Sequence, residues 1–299
     1  MTSKNQILTK QELQEVIENR VSMDHTIPEK IIYGKEINDE VLTQKGLLFN
    51  NAASIQPLRF NECTFNAIVD IGIYQNAGRI KFHNCTFNSP IKVQFDNSSF
   101  SGDCVFNNDL TIRLSKDIEI SNYNVKGNFV VLGVSKKLLL KNINQEQEIK
   151  DQTIRINGEF SELIVDSVSG KVLEFSSNLN ISEELIVKNV DVLELLIGMI
   201  GLYTEMKIND CRVGVLKFQK ITGVIKGLNI FNSVIEGMEF QISASSKTSI
   251  IGGTINVLRL FNSNQEDSII NIEKTTVLNL KFEGIFNNGS IIFKRIKYS

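Results

Sequence analysis

The sequence contains no Trp, only five Tyr and only two His. Aromatic rings supply much of the contact area in binding sites, and His is the side chain most often used for general acid–base catalysis. His25 lies beside Asp24 in a polar connector, and His83 projects outward from the strand pattern IKFHNCTF. These shortages argue against an aromatic-lined site for sugar chains and against an active site built on His.

The chain also lacks an excess of charge of either sign. Lys and Arg total 32 against 34 Asp and Glu, a formal net charge of -2, so no nucleic-acid partner is predicted. No apolar run reaches the roughly 18 residues that a membrane-spanning helix needs, so no membrane insertion is predicted. The first residues, MTSKNQILTKQELQ, lack the apolar region of a signal peptide, and we expect a cytoplasmic protein.

The common cofactor and catalytic motifs are missing as well. The sequence has no GxGxxG, GxxxxGK[ST], HExxH or GxSxG pattern, and its four Cys include no CxxC pair. No cofactor and no metal site are therefore predicted. Cys63 and Cys85 lie 22 residues apart in the matching segments LRFNECTF and IKFHNCTF. A disulfide, a shared metal or two buried thiols fit this spacing, and the buried thiol is the commonest state of such a Cys.

What the sequence does contain is an internal repeat. Similar segments begin every 19 to 22 residues at Leu163, Leu185, Met206, Leu228, Ile250, Ile269 and Ile291. Each segment opens with alternating apolar residues, turns at a short polar corner and continues with a second alternating run. In one of them, Met206 to Ile208 is followed by the corner Asn209 to Arg212 and then by Val213 to Phe218. The segments are too short to hold a crossover helix, so each predicts one turn of a coil.

Stacked coils predict an all-β fold, a single-stranded parallel β-helix. It is a solenoid of coils of about 22 residues in which each strand pairs with the equivalent strand one turn above and below. Asn residues recur at the corners, where stacked amides would form an asparagine ladder or where turn propensity alone favours Asn. These are Asn84, Asn97, Asn122, Asn142, Asn189 and Asn232. Phe60 and Phe65 recur as Phe82 and Phe87 and then as Phe95 and Phe100, which predicts rows of rings in the core.

The N-terminal residues predict a different structure. Thr9 and Glu12 form a capping box, with Leu8 and Leu13 as the accompanying hydrophobic staple. We therefore expect a short capping α-helix with its connector over residues 1–30, followed by the β-helix over residues 31–299. The helix covers the open edge of the first coil or docks a partner. Residues 141–152, KNINQEQEIKDQ, read as a polar loop that projects from the stack.

The repeated segments resemble those of right-handed parallel β-helix proteins, the pectin-lyase-like group, over about residues 31–299. The resemblance implies a right-handed coil. Its sugar-cleaving members imply an acidic or basic site on an outer face, for which the weak catalytic candidates here are Asp70, Asp96 and His83. Two carboxyl groups about 5 to 9.5 Å apart would suit a glycosidase. Surface carboxylates are common on any protein, and a lone His is usually a solvated side chain.

The sequence therefore predicts a non-catalytic structural or binding protein, a β-helical scaffold for protein or glycan interaction or for assembly. The alternative is a carbohydrate-active enzyme, a glycoside hydrolase or polysaccharide lyase with an acidic site on an outer face. At the C-terminal coil, IIFKRIKYS, the charges of Lys294, Arg295 and Lys297 protect the strand edge, or a second copy of the chain covers it as a homo-oligomer.

Overall fold

The computed structural model describes residues 6–18, 21–22, 30–39, 54–55, 57–71, 80–95, 98–146, 152–199, 204–218, 225–241, 247–261, 269–283 and 290–294. The structure falls into two compact units. Unit 1 comprises Met1–Ser115 and Tyr123–Leu132, and unit 2 comprises Lys116–Asn122 and Gly133–Ser299. The predicted domain boundary at residue 30 is not tested by this division.

The structure confirms the predicted parallel β-solenoid with coils of about 22 residues and one short helix near the N-terminus. Up to residue 114, all in unit 1, the elements are β1 (Gln6–Leu8), α1 (Lys10–Glu18), β2 (Val21–Ser22), β3 (Lys30–Tyr33), β4 (Lys35–Ile37), β5 (Ser54–Ile55), β6 (Leu58–Asn61), β7 (Thr64–Phe65), β8 (Val69–Ile71), β9 (Ile80–His83), β10 (Thr86–Phe87), β11 (Ile91–Gln94), β12 (Ser98–Ser101), β13 (Val105–Phe106) and β14 (Leu110–Leu114).

The next two strands contribute residues to both units, and all later strands belong to unit 2. They are β15 (Ile118–Val125), β16 (Phe129–Gln145), β17 (Thr153–Lys188), β18 (Asp191–Met199), β19 (Thr204–Asn209), β20 (Arg212–Phe218), β21 (Ile225–Phe231), β22 (Val234–Gln241), β23 (Lys247–Ile251), β24 (Thr254–Phe261), β25 (Ile269–Glu273), β26 (Thr276–Glu283) and β27 (Ser290–Lys294). No helix among the described residues is long and apolar enough to span a membrane.

In unit 1 the strands of successive coils stack in three parallel sets. One set is β3, β6, β9 and β12, the second contains β1, β4, β7, β10 and β13, and the third is β8, β11 and β14. The register places Phe82 beside Phe60 and Phe100, so the three rings stack in the core. Phe87 stacks between Phe65 and Phe106. The predicted third pair, Phe95 with Phe100, is therefore wrong, because Phe106 takes the place assigned to Phe100.

The N-terminal segment begins with a strand that the sequence did not predict. β1 pairs in parallel with β4, which supplies hydrogen bonds to the edge of that strand. The predicted capping box at the start of α1 is confirmed. The Glu12 carboxylate accepts a hydrogen bond from the Thr9 backbone N–H at 2.9 Å, and the Glu12 N–H donates to Thr9 Oγ1 at 3.2 Å. Leu13 is buried, so the helix packs its apolar side against the protein.

In unit 2 each coil contributes two long strands. The first-strand set contains the end of β17, then β19, β21, β23, β25 and β27, and the second-strand set contains an earlier part of β17, then β18, β20, β22, β24 and β26. Inward positions carry buried apolar side chains, for example Leu195, Leu216 and Leu258 in equivalent places. The alternation of apolar and polar residues thus builds the core that the repeat predicted.

A corner residue with a left-handed backbone recurs once in each coil. Such residues have φ between 47° and 70° and recur every 18 to 28 residues, as Gly34, Glu62, Asn84, Gly102, Asn122, Asn142, Ser167, Asn189, Asp210, Asn232, Gly252 and Lys274. The corner N–H donates to the next coil, as from Asp210 to the Phe231 carbonyl at 3.0 Å. Because the backbone N–H is already hydrogen-bonded there, the corner does not depend on an Asn side chain, and other residues also occupy the position.

An asparagine ladder exists, but mainly in a different place from the predicted one. In unit 1, Asn66 Nδ2 donates to Asn38 Oδ1 at 2.7 Å, Asn88 donates to Asn66 at 2.7 Å, and Asn107 donates to Asn88 at 2.8 Å. In the predicted row, the Asn–Asn bond found among the described residues is that from Asn142 to Asn122 at 2.9 Å. Asn97 lies outside the described residues. The predicted loop over 141–152 is wrong for residues 141–145, which lie in β16 and include the corner at Asn142.

Two buried Thr residues in unit 2 differ in the hydrogen bonding of their hydroxyl groups, which allows the energetic cost of an unpaired hydroxyl to be tested. Thr248 and Thr275 are each 1% exposed. The Thr248 hydroxyl has no hydrogen-bond partner, whereas the Thr275 hydroxyl lies within 3.3 Å of the Ile250 and Gly252 carbonyls. We expect Thr248→Val to raise the free energy of unfolding by about 1 kcal/mol, because an unpaired buried hydroxyl is costly.

The matched substitution Thr275→Val should lower the free energy of unfolding by about 1 to 2 kcal/mol, because it leaves buried carbonyls without their donor. Urea unfolding followed by circular dichroism measures both variants against the parent chain. Val preserves the shape of Thr, so the two changes differ mainly in hydrogen bonding. Shifts of the same sign in the two variants would contradict this account.

Candidate functional site

Of the candidates from the sequence, Asp70 and His83 are among the described residues and lie in unit 1 on different strand sets. Asp70 is in β8 and is half-buried, with Lys92 Nζ at 4.0 Å from its Oδ2. His83 is in β9, and its Nδ1 lies 3.0 Å from Ser101 Oγ. Asp96 lies outside the described residues, as does His25. The described residues thus place Asp70 next to a cation and His83 next to a hydroxyl.

The four Cys residues share one structural position. Each follows a corner and points into the core, and its Sγ contacts a carbonyl of the preceding coil. The contacts are Cys63 to Ile32 at 3.5 Å, Cys85 to Phe60 at 3.3 Å, Cys104 to Phe82 at 3.8 Å and Cys211 to Val187 at 3.6 Å. Ser233 and Thr275 occupy the same position and donate through their hydroxyl groups. The position therefore selects small side chains with a hydrogen to donate.

These contacts assign the Cys residues a structural role. All four are free and buried, so Cys63 and Cys85 are not joined as a disulfide. Burial raises the pKa of Cys104, and it raises the pKa of Cys211 to about 11. A hydrogen bond with Cys63, followed by burial, raises the pKa of Cys85. These three thiols are held in the protonated state, in which they are poor nucleophiles and poor metal ligands. The hydrogen bond with Cys85 lowers the pKa of Cys63, whose Sγ is nevertheless buried. In the part of the chain that the structure describes, no three His, Cys, Asp or Glu residues cluster to hold a metal.

Charged residues on the outside of unit 2 pair between successive coils. The pairs include Lys137 with Glu162 at 2.7 Å, Arg155 with Glu174 at 2.8 Å, Lys188 with Asp166 at 3.2 Å, Lys226 with Glu205 at 3.8 Å, and Lys207 with Glu184. The hydrogen bond with Glu184 raises the pKa of Lys207. Exposed pairs of this kind contribute little to stability. They do neutralise much of the surface charge, so cations outside such pairs are conspicuous.

Unit 2 carries an outward surface on its second-strand set, which we call the second-strand face. Two outward residues follow the first buried residue of each second strand there, for example Glu236 and Gly237 between Ile235 and Met238. One apolar side chain points outward from each of five consecutive coils. These residues, which we call the apolar stripe, are Leu193, Val215, Val234, Val257 and Leu278. They are staggered: Leu193 and Leu278 share one register position, Val215 and Val257 occupy the next position along the strand, and Val234 lies two positions before that of Leu193. Leu193 is 48% exposed, and Val234 and Leu278 are each 45% exposed.

A notch interrupts this face at Gly237. The strand register aligns Gly237 between Val215 and Val257, so one side chain is missing from a row of three. The resulting groove has a volume of about 250 Å³ and is lined by Val215, Lys217, Gly237, Met238, Glu239, Val257 and Arg259. The backbone of Gly237 has no positive φ. A Cβ added there would first meet the Gly214 carbonyl oxygen at 3.9 Å. Neither backbone strain nor a steric overlap therefore requires glycine at this position.

A row of charged residues runs along one side of the notch. The register aligns Lys217, Glu239, Arg259 and Lys281 in four consecutive coils. Arg259 Nη1 lies 3.2 Å from Glu239 Oε1, so these two charges compensate each other. Lys217 and Lys281 are exposed, and neither makes an ion pair with a described residue. We call these four residues the basic row, and it carries a net positive charge beside an apolar notch.

No known family matches this chain. No curated protein and no solved structure matches it either.

The sequence analysis missed the notch, although a signal for it exists. When the repeats are aligned at their second strands, RVGVLKF and TINVLRLF carry Val where VIEGMEFQ carries Gly. The alignment that shows this depends on the register between coils, which the repeat period alone leaves uncertain by one or two residues.

Proposed function

We propose that this chain is a non-catalytic scaffold that holds a protein partner against the second-strand face of unit 2. The observation that supports this proposal is the apolar stripe, which places an outward Val or Leu in each of five consecutive coils at three neighbouring register positions. Scattered single apolar residues are normal on a protein surface, whereas one outward apolar residue per coil on the same face over five coils is typical of an interaction site. A stacked β-sheet holds these side chains at fixed positions, which lowers the entropic cost of binding.

A protein is a better match to this surface than a glycan. Sugar rings stack on aromatic side chains, and the stripe contains only Val and Leu. Apolar and partly basic surfaces suit partners that present aliphatic or aromatic side chains with acidic neighbours. The scaffold is thus expected to recognise a folded or extended protein segment.

Site-specific photo-cross-linking tests the proposal. The photoreactive residue p-benzoylphenylalanine replaces Val234 on the second-strand face or Asn229 on the first-strand set of the same unit, and each chain is illuminated in extract of its source cells. We expect one dominant adduct from position 234 and none of that mass from position 229. Leu193→Asp combined with Leu278→Asp should reduce the yield at 234 about tenfold, because charges replace buried apolar contacts.

The outcomes separate the proposal from its rivals. Equal adducts at 234 and 229, no adduct at 234, or an adduct that the Asp variants leave unchanged would each overturn it. An adduct between two copies of this chain would instead favour assembly as a homo-oligomer.

The predicted homo-oligomer through the C-terminal coil has its own structural support. Phe282 and Phe293 are 48% and 39% exposed, yet Leu260 and Ile272, one coil earlier in the same rows, are fully buried. A second copy stacked on this coil would cover the two rings. Light scattering over a concentration series distinguishes a dimer from a monomer.

The carbohydrate-active enzyme remains the alternative proposal. It rests on the resemblance to pectin-lyase-like proteins and on Asp70 and Asp96. A screen for hydrolase and lyase activity on a panel of polysaccharides, with Asp70→Asn as the comparison, tests it. Product release that depends on Asp70 would favour the enzyme over the scaffold.

A further inference from the structure

We propose that the Gly237 notch is a specific pocket for one aromatic side chain of a protein partner, with an Asp or Glu of that partner held by Lys217. This inference rests on the proposed scaffold function and names the chemistry that the face selects. It follows from the size of the notch, the residues that line it and the charges beside it.

The size of the notch suits a single side chain. Its volume of about 250 Å³ is below the roughly 300 to 1,000 Å³ of most small-molecule sites. The walls are the side chains of Val215 and Val257, two coils apart, so the opening is about 9.6 Å between their backbones. A flat ring inserted between two aliphatic walls fills such a slot, and buried aromatic anchors dominate the energy of many protein interfaces.

The charge beside the notch selects an acidic neighbour for that ring. Glu239 is already compensated by Arg259, which leaves Lys217 and Lys281 as the uncompensated charges of the basic row. On the other side of the notch Glu236 is exposed and would repel a carboxylate. A ligand is therefore oriented with its acidic group toward Lys217 and a neutral or basic group toward Glu236.

Methyl NMR of the full chain, with labelled Val, Leu and Met methyl groups, tests the proposal with defined peptides. The probes are the terminally blocked tetrapeptides Gly-Asp-Phe-Gly, Gly-Lys-Phe-Gly and Gly-Asp-Ala-Gly. We expect Gly-Asp-Phe-Gly to shift the methyl signals of Val215 and Val257. The Lys peptide should bind about fivefold more weakly, as expected for the loss of an exposed charge pair. The Ala peptide should shift these signals hardly at all.

Two variants separate occupation of the notch from binding elsewhere. Gly237→Val fills the notch with the side chain that its neighbours carry, and it should abolish the shifts while the chain stays folded. Gly227→Ala is the matched control, because its added Cβ meets nothing closer than Asn229 Nδ2 at 3.9 Å. Lys217→Glu should remove the preference for the Asp peptide over the Lys peptide and leave the methyl spectrum of the free chain otherwise intact.

Several results would overturn the proposal. These are shifts that persist in Gly237→Val, equal binding of the Asp and Lys peptides, the absence of shifts at high millimolar peptide, or shifts caused by a uronic-acid disaccharide and not by the peptides. Cross-linking at position 234 that Gly237→Val leaves unchanged would reject the notch while supporting the scaffold. Peptide binding without any cross-linked partner would support the notch and reject the scaffold.

Discussion

Replacing Phe82 by Ala is expected to lower the free energy of unfolding by about 3 to 5 kcal/mol, the usual cost of removing a fully buried aromatic ring. Phe82 is completely buried and has ring centroids of four other Phe residues 5.3 to 5.6 Å from its own. Loss of this ring leaves a cavity where two rows of rings meet. Urea unfolding followed by circular dichroism measures the change.

The matched control for this prediction is Phe231→Ala. Phe231 lies on the outside of β21 and is 45% exposed, so its removal should change the free energy of unfolding by no more than about 0.5 kcal/mol. Phe82→Leu should cost less than Phe82→Ala, because Leu refills part of the cavity. A loss for Phe82→Ala as small as that for Phe231→Ala would show that the stacked rings do not hold unit 1 together.

Gly253→Ala is expected to cost about 3 kcal/mol or more, because it combines backbone strain with a steric overlap. Gly253 has φ of 77°, where L side chains are disfavoured, and an added Cβ would lie 2.1 Å from the Ser233 carbonyl oxygen. That oxygen belongs to the backbone of the preceding coil and accepts a hydrogen bond from the Thr254 N–H at 3.0 Å. The overlap therefore breaks contact between two coils, and hydrogen exchange should increase in β22 and β24.

Gly237→Ala serves as the control for this substitution. It makes the same chemical change at a glycine whose own φ is not positive, with the nearest atom 3.9 Å from the added Cβ. We expect its free energy of unfolding to match that of the parent chain within about 0.5 kcal/mol. Equal destabilisation by the two Ala variants would contradict the role assigned to the backbone at Gly253.

The period of the coils and the burial of alternate side chains were predictable because they depend on hydrophobic pattern alone. Leu163, Leu185, Met206 and Leu228 lie within strands and are buried, as the repeat requires. The predicted segment starts at Ile250 and Ile269 are wrong, because Leu228 pairs with Thr248 and Thr248 pairs with Ile270. The capping box at Thr9 and Glu12 was predictable for the same reason, since it depends on residues three positions apart. In patterns of this kind, residues close in the sequence are enough to determine the local backbone structure.

Features that depend on the register between coils were not predictable in the same way. Asn66 and Asn88 form a ladder because the backbone places their amides in line, whereas Asn84 has φ of 51° and accepts a hydrogen bond from the Asp103 N–H instead. Asn suits both environments, so the residue type does not decide between them. β1 was missed because three residues are too few to show a period.

The candidate site illustrates the same limit. Asp70 and His83 were selected by residue type, which says nothing about neighbours such as Lys92 and Ser101. The notch at Gly237 is defined by an absent side chain between two present ones. Such a feature becomes visible when coils are aligned in three dimensions.

The spacing of the coils on the second-strand face also limits which residues of an extended partner can contact it. Coils repeat at about 4.8 Å, whereas an extended peptide advances about 3.4 Å per residue. Three coils and four residues of an extended peptide both span about 14 Å. Every fourth residue of the peptide therefore lies beside every third coil. Residues i and i+4 of an extended strand also point to the same side. A partner that binds along this face in this way is expected to contact equivalent positions of every third coil through residues four positions apart.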